Sequence, residues 1–263
     1  MKAAVCQFPV TLDVERNVES IVTLSTQAAD GGARIAVFAE CALSGYPYPE
    51  SEALAALDPE ALATGLERVR EAARRDGIWI VAGSTHVRDD GARLNSAYVV
   101  NSAGVLVARY DKRILFAHER SFYRRGGQCV TFELEGIRFG VLICYEMQFF
   151  ELYREYKSLG VDCMIHPKYS LPEYEVDPLE DVEPADAISP AVHAVYNRMT
   201  ILCPNESTAG GSSVYYPDGS EERAPAEAMV AQVVDVRRQS GPRRRIDLDR
   251  DGLLGHTNGG IRR

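Results

Sequence analysis

Apolar residues fall along this chain in short blocks whose period alternates between two and about 3.6, and that alternation predicts strand, helix, strand. Ala3 to Phe8 is an apolar block closed by Pro9, the pattern of a short buried strand. Asp13 stands where a helix N-cap belongs, and Val14, Val18, Ile21, Val22, Ser25, Ala28 and Ala29 then recur at helical spacing until Gly31-Gly32. Ile35 to Phe38 is the next apolar strand. A second amphipathic helix is expected from about Pro59 to Arg75, with Leu62, Leu66, Val69, Ala72 and Ala73 on one face, and Ile78 to Ala82 is the strand after it.

The middle of the chain pairs strands with one another. Ala97–Asn101 and Val105–Tyr110 flank Ser102-Ala103-Gly104, and Val130–Leu134 and Ile137–Ile143 flank Glu135-Gly136, so two hairpins are expected. A helix over about Phe149–Leu159, a strand Val161–Ile165, a helix over 184–198 and strands Thr200–Cys203 and Met229–Val236 complete the pattern. Buried strands joined both by helices and by hairpins imply an α/β domain with two mixed sheets. No repeat or linker interrupts 1–236, which reads as a single domain. Two stretches stand apart. Residues 168–190 hold Glu173, Glu175, Asp177, Glu180, Asp181, Glu183 and Asp186 against Lys168, broken by four prolines, and read as a long loop. Residues 237–263 carry eight arginines against three aspartates and read as a basic tail, either disordered or packed on another subunit.

Composition narrows the function. With 38 acidic residues against 29 Lys plus Arg, the net charge is −9 over 263 residues, the wrong sign for a nucleic-acid or anionic-membrane binder. No apolar run approaches the roughly 20 residues of a spanning helix, and the start of the chain has no secretory apolar region. Six cysteines without C-x-x-C spacing, three of them in apolar strand runs, suit reduced thiols in a cytoplasm. The five histidines lack H-x-x-x-H or H-x-x-E-H spacing, and Asp247, Asp249, Asp251 and Gly252 begin like a calcium loop whose twelfth position is Asn258 instead of Glu. No phosphate or dinucleotide motif and no nucleophile elbow occurs, so neither metal nor cofactor is expected.

Reactive polar residues follow three apolar strands, where open α/β sheets keep their ligand sites: Glu40 after Val37-Phe38-Ala39, Lys112 after Arg109-Tyr110-Asp111, and Cys144 after Gly140 to Ile143. Taken singly, each has an ordinary explanation: a core thiol, a loop carboxylate in water, a solvated ammonium. Brought together they form an acyl-transfer set. Cys144 is then the nucleophile and Glu40 the proton carrier. Lys112 lowers the thiol pKa and donates to the oxyanion, and Glu119 is a second carboxylate that holds Lys112 in place.

The surrounding words resemble the carbon–nitrogen hydrolase, or nitrilase, superfamily. Ala3-Ala4-Val5-Cys6-Gln7 is similar to its first strand and Phe38-Ala39-Glu40-Cys41-Ala42-Leu43-Ser44-Gly45-Tyr46 to its first catalytic block. Tyr110 to Phe116 resembles the lysine block, Glu119-Arg120-Ser121-Phe122 with Gly126 the second glutamate segment, and Gly140 to Glu151 the nucleophile block. Asn197, Asn205, Gly211-Ser212-Ser213 and Pro217-Asp218-Gly219 follow in the family's order. The resemblance covers about 1–236. It implies a four-layer αββα sandwich, a Glu40–Lys112–Cys144 triad with Glu119 as fourth member, the Tyr145 N–H as oxyanion donor beside Lys112, Tyr46 on the substrate side, and a homodimer in which arginines 243–245 meet acidic surface of a partner.

Ala39 and Phe150 stand where the family usually has Pro, Glu146 where it has Asp, and Tyr196 where many members have Glu. Cys144-Tyr145-Glu146 resembles the aliphatic amidase and omega-amidase branches, while its Cys-x-Glu spacing is shared with nitrilases. The implied activity is hydrolysis of a small linear amide with release of ammonia. A nitrilase or N-carbamoyl amine hydrolase is the alternative, and Gln148 speaks against carbamoyl amino acids. If the carboxylates of 168–190 face the site, the substrate carries an amine or guanidinium. The contrasting reading is a family member without activity that serves as a binding module.

Overall fold

The computed structural model describes residues 1–47, 57–170, 189–208 and 211–238. Strands β1 (Lys2–Gln7), β2 (Ile35–Val37), β3 (Trp79–Val87), β4 (Arg93–Val100), β5 (Leu106–Asp111) and β12 (Val230–Asp235) form one sheet, ordered β12-β1-β2-β3-β4-β5. Strands β6 (Thr131–Leu134), β7 (Ile137–Val141), β8 (Cys163–Ile165), β9 (Thr200–Cys203), β10 (Ser213–Tyr215) and β11 (Glu221–Arg223) form the other, ordered β11-β10-β9-β8-β7-β6. Each sheet has three parallel strands in its middle, β1-β2-β3 and β7-β8-β9, flanked by antiparallel neighbours. Helices α1 (Val14–Asp30) and α2 (Pro59–Asp76) pair on the outside of the first sheet, and α3 (Phe150–Ser158) and α4 (Pro190–Asn197) accompany the second. This is the αββα sandwich that the resemblance implied.

Alternation within the strands explains the layers. Ala3, Val5, Ile35, Val37 and Val81 face the second sheet and join Phe139, Val141, Met164 and Ile201 in one buried cluster. Ala4, Cys6, Ala36, Phe38, Ile80 and Ala82 face outward against Val18, Ile21 and Leu24 of α1 and Val69 of α2. Both faces of the central strands are covered, so those strands read as unbroken apolar runs. Trp79 of the first sheet stacks on Phe132 of the second with centroids 5.4 Å apart.

Most expected elements lie within a residue or two of their predicted bounds. Asp13 caps α1, its side chain accepting from the Arg16 N–H at 3.2 Å. Both hairpins form, the second through Glu135 (φ 50°) and Gly136 (φ 76°). Strands β3 and β4 differ: β3 runs five residues past Ala82 and β4 begins four residues before Ala97, through the polar segments Gly83–Val87 and Arg93–Ser96. Strands β10 and β11, joined by a turn at Pro217-Asp218-Gly219, had no apolar signal strong enough to announce them. All six cysteines are free thiols. Among the described residues, no helix is long and apolar enough to cross a membrane, and no group of three or more His, Cys, Asp or Glu is arranged to hold a metal ion. The acidic residues of the 168–190 loop, the 184–188 part of the expected helix, the Asp247–Gly252 segment and the tail from 239 onward lie outside the described residues.

Candidate active site

The first sheet contributes a cluster of charge. Glu40 follows β2, Lys112 follows β5, and Glu119 lies on a 3-10 turn over His118–Ser121. Their side chains are 1%, 1% and 0% exposed, so none is the solvated loop residue that its position alone suggested. The Lys112 ammonium donates to Glu40 Oε1 at 2.9 Å and lies 3.0 and 2.8 Å from the two oxygens of Glu119. Asn95 on β4 donates to Glu40 Oε1 at 2.7 Å and to Glu119 Oε1 at 2.8 Å, bridging both carboxylates.

The two carboxylates are differently satisfied. Glu119 Oε2 also accepts from the Phe116 N–H at 2.8 Å, and Oε1 is 3.4 Å from the Tyr46 hydroxyl. Glu40 Oε2, by contrast, is buried with no hydrogen-bond partner. Burial pushes the Glu40 carboxyl up, Lys112 opposing and Glu119 adding to the rise. Lys112 is held well above its usual value: burial alone would lower it, but Glu119 and Glu40 outweigh that cost. An unpartnered buried oxygen on a carboxylate of raised pKa is a proton acceptor kept ready.

The backbone fixes these groups. Lys112 N–H donates to Asn95 O at 2.8 Å, extending the β4–β5 ladder, and Lys112 O accepts from Gly126 N–H at 2.8 Å. A Cβ on Gly126 would lie 2.0 Å from Asp111 O, and one on Gly83 would lie 2.4 Å from Ala39 O beneath Glu40, so both positions need glycine.

The second sheet contributes the thiol. Cys144 is half-buried at the start of a 3-10 turn over Cys144–Gln148 and has φ 48°, a left-handed conformation unusual for a residue with a side chain. Its N–H donates to Pro167 O at 2.9 Å, and the Tyr169 N–H donates to its sulfur. Lys168 O in turn accepts from the Glu40 N–H at 3.2 Å, so the segment after β8 joins the two loops. Glu40, Lys112 and Glu119 all act electrostatically on the sulfur, which brings the four expected groups to one place. Lys112 does pull the thiol pKa down, but burial and the Glu40 charge outweigh it, and the thiol is pushed up to about 12. The sulfur rests as a thiol, not as a preformed thiolate.

Glu146 went unrecognised in the sequence except as a departure from pattern. It is fully buried and accepts from the Arg113 and Ile114 N–H groups at 2.8 and 3.1 Å, from the Ile143 N–H at 2.7 Å, and from the Tyr110 hydroxyl. It thereby ties the strand end before Cys144 to the residues after Lys112. A carboxylate two places after a strand-end cysteine, in a stretch otherwise apolar, was the available signal. Asn95 carried none, since it precedes the predicted strand Ala97–Asn101.

Aromatic rings line the neighbourhood. Tyr46 stacks on Tyr169 at 4.9 Å, its hydroxyl is 2.8 Å from His118 Nε2, and Phe116 packs edge-on against Tyr145 at 5.0 Å. Tyr46 therefore touches Glu119, and Tyr145, next to Cys144 in the chain, is half-buried.

Comparison with known proteins identifies the family and the fold. The carbon-nitrogen hydrolase family model matches residues 2–220. A 2-oxoglutaramate amidase of Bacillus subtilis is 27% identical over 82% of this chain and 83% of its own length. A nitrilase of Pyrococcus abyssi is 31% identical over 64% of each chain, and the omega-amidase of Homo sapiens is 27% identical over 63% of this chain and 62% of its own, so the match spans less than two thirds of those two relatives. The fold is shared with an amidase of Nesterenkonia sp. AN1, solved as a mutant with acrylamide added at its active-site cysteine: TM-score 0.78, 23% identity, covering 95% of this chain and 99% of that one. The chain belongs to the carbon–nitrogen hydrolase family and is a hydrolase of carbon–nitrogen bonds other than peptide bonds.

Proposed function

We propose that this protein hydrolyses a small linear primary amide to the acid and ammonia through a thioester on Cys144. The observation that carries the reading is the buried Glu40–Lys112–Glu119 cluster with one Glu40 oxygen left bare. Glu40 Oε2 takes the Cys144 proton as sulfur attacks the amide carbon, which suits a thiol held at about 12 beside a carboxylate held above its usual range. The developing oxyanion receives the Tyr145 N–H and the Lys112 ammonium. Glu40 then gives its proton to the departing nitrogen, and ammonia leaves as the thioester forms. Glu40 next deprotonates water, which attacks the thioester, and the sulfur leaves with the proton returned from Glu40. Atoms and charge balance, and Glu119 keeps Lys112 charged throughout.

The acyl group in this reading is neutral or anionic. The acidic residues that suggested a cationic substrate lie outside the described residues. The described end of that stretch instead brings a cation, the half-buried Lys168, near Cys203 and Cys144. The relatives named as amidases of 2-oxoglutaramate and of omega-amides point the same way.

The test is ammonia release from short aliphatic amides, omega-amides of dicarboxylic acids, N-carbamoyl amines, guanidino-amides and the matching nitriles, for the wild type and Cys144→Ala. The reading expects release from neutral or carboxylate-bearing amides, none from the variant, and a hydroxamate when hydroxylamine is added. Release that survives loss of the sulfur, or amides left untouched while nitriles or carbamoyl amines react, overturns it.

A further inference from the structure

Against the carbonyl of Cys144 sits a fully buried imidazole to which the chemistry above gives no role. His166 follows β8, and its Nε2 lies 2.9 Å from the carbonyl oxygen of Cys144. A carbonyl can only accept, so Nε2 carries the hydrogen. Nδ1 must then accept, and the Tyr153 hydroxyl of α3, 2.7 Å away, donates to it. Tyr153 is fixed in turn by stacking on His193, centroids 3.7 Å apart and planes 3° from parallel. His193 Nε2 holds the carbonyl of Met147, in the same 3-10 turn, at 2.6 Å. Burial pushes the His166 imidazole down to about 3, so it is neutral throughout the range in which a protein works.

We propose that His166 is a positioning residue that aims the Tyr145 N–H at the oxyanion. The Cys144 carbonyl and the Tyr145 N–H belong to one planar trans peptide and point in opposite directions. A donor that grips the oxygen from behind therefore sets where the N–H points in front. The peptide needs that grip, because Cys144 is held at φ 48°, a strained conformation that relaxes unless its surroundings fix it. The neighbouring amides are occupied: the Cys144 N–H goes to Pro167 O and the Glu146 N–H to Ile143 O, while the Tyr145 N–H between them has no backbone acceptor among the described residues. A neutral imidazole suits the task, since a cation behind the peptide would compete with Lys112 for the charge on the oxyanion.

The inference rests on the amidase reading, and the experiment separates the two. His166→Gln keeps an N–H donor at a similar reach, and His166→Met keeps the shape without the donor. Two quantities are measured for each: steady-state turnover of the best amide, and affinity for butyraldehyde, which adds to the Cys144 sulfur as a hemithioacetal and needs the oxyanion donors but no turnover. His166→Met should lower kcat roughly 10- to 100-fold with KM little changed, as misaiming one oxyanion donor does, and should weaken aldehyde binding by a similar factor. His166→Gln should recover most of both. Alkylation of Cys144 by iodoacetamide, which makes no oxyanion, should stay within about threefold in both variants, a contrast that loss of structure would not produce. Nitrogen-15 spectra of histidine-labelled wild type, which require no variant to fold, should show His166 neutral with its proton on Nε2. Equal losses in the Gln and Met variants, losses that alkylation shares, or a proton on Nδ1 overturn the positioning role. A wild type that binds aldehyde in a His166-dependent way yet releases no ammonia from any amide overturns the amidase reading alone.

Discussion

Both sheets have three parallel strands in the middle, but the loops at their carboxyl ends carry different things. After β2 and β5 of the first sheet come an acid and a base, Glu40 and Lys112, joined by Glu119 and bridged by Asn95. After β7 and β8 of the second, beside Glu146 and Lys168, come a thiol held at about 12, an imidazole held down at about 3, and the backbone of a tight turn. The first half handles charge and the second fixes direction. Charge in a buried site acts over several ångströms and tolerates small displacements, whereas a hydrogen-bond donor aimed at one atom does not. Substitutions in the two halves should therefore fail differently.

The largest effect expected is from Cys144→Ala in the second half. Ammonia release should disappear, while far-UV circular dichroism and the thermal midpoint stay close to wild type, because Cys144 is only half-buried as a residue and the change removes a single atom. Glu40→Gln should follow, with kcat/KM lower by about 10² to 10⁴. The pH profile gives it a sign. Protonated Glu40 cannot accept the thiol proton, so wild-type kcat/KM must fall as pH drops through the Glu40 pKa, and burial places that limb above the usual carboxylate value of about 4.3. In Glu40→Gln the acid limb should vanish and the residual rate should climb with pH as the thiol ionises unaided. An unchanged limb in the variant would assign the titration to another group.

Lys112→Met tests whether the first half is a charge device as well as a rate device. Losing an oxyanion donor lowers kcat by at least ~100-fold, and leaving Glu40 and Glu119 facing each other without a cation costs about 3–5 kcal/mol of stability. Adding Glu119→Gln to Lys112→Met should return much of the stability and none of the rate. Chemical denaturation and ammonia release report the two separately. A double variant as unstable as the single would mean that the carboxylates do not share the lysine's charge.

How far the sequence disclosed this follows the same division. The apolar period exposed β1, β2, β7, β8 and β9 because both faces of those strands are buried, and it located Glu40 and Cys144 by what they follow. It failed at Gly83–Val87 and Arg93–Ser96, where the β3–β4 hairpin leaves the apolar interior and becomes the polar floor of the site. Ser84, Thr85, Asn95 and Ser96 are all buried there, so a polar side chain meant burial with a partner and not exposure. Asn95 was invisible for that reason. The net shift of the Cys144 pKa was hidden too, since its sign depends on how much water the fold removes, and no spacing of residues reports that. His166 read as an isolated histidine because its partners, Tyr153 and the Cys144 carbonyl, are 13 and 22 residues away.

The smallest effect on rate is expected where the two halves meet. Glu146 belongs to the turn of Cys144, yet its Oε1 accepts from the Arg113 and Ile114 N–H groups beyond Lys112, while Oε2 accepts from the Ile143 N–H before the nucleophile. Its carboxylate joins backbone from both sheets and, among the described residues, makes no hydrogen bond to the sulfur or the ammonium: its work is to hold two backbones in register. Glu146→Gln keeps the shape and one acceptor but turns an NH₂ toward an N–H donor that had an oxygen. The buried donor left unpaired costs about 1–3 kcal/mol. The rate should fall about tenfold or less, through a loosened register that lowers kcat with KM nearly constant. Iodoacetamide labelling of Cys144 should slow in parallel, because Glu40 and the sulfur are carried on opposite sides of the joint. That last result separates Glu146 from His166, whose loss leaves alkylation alone, and a Glu146→Gln protein that keeps full labelling with reduced turnover would move Glu146 from the joint into the second half.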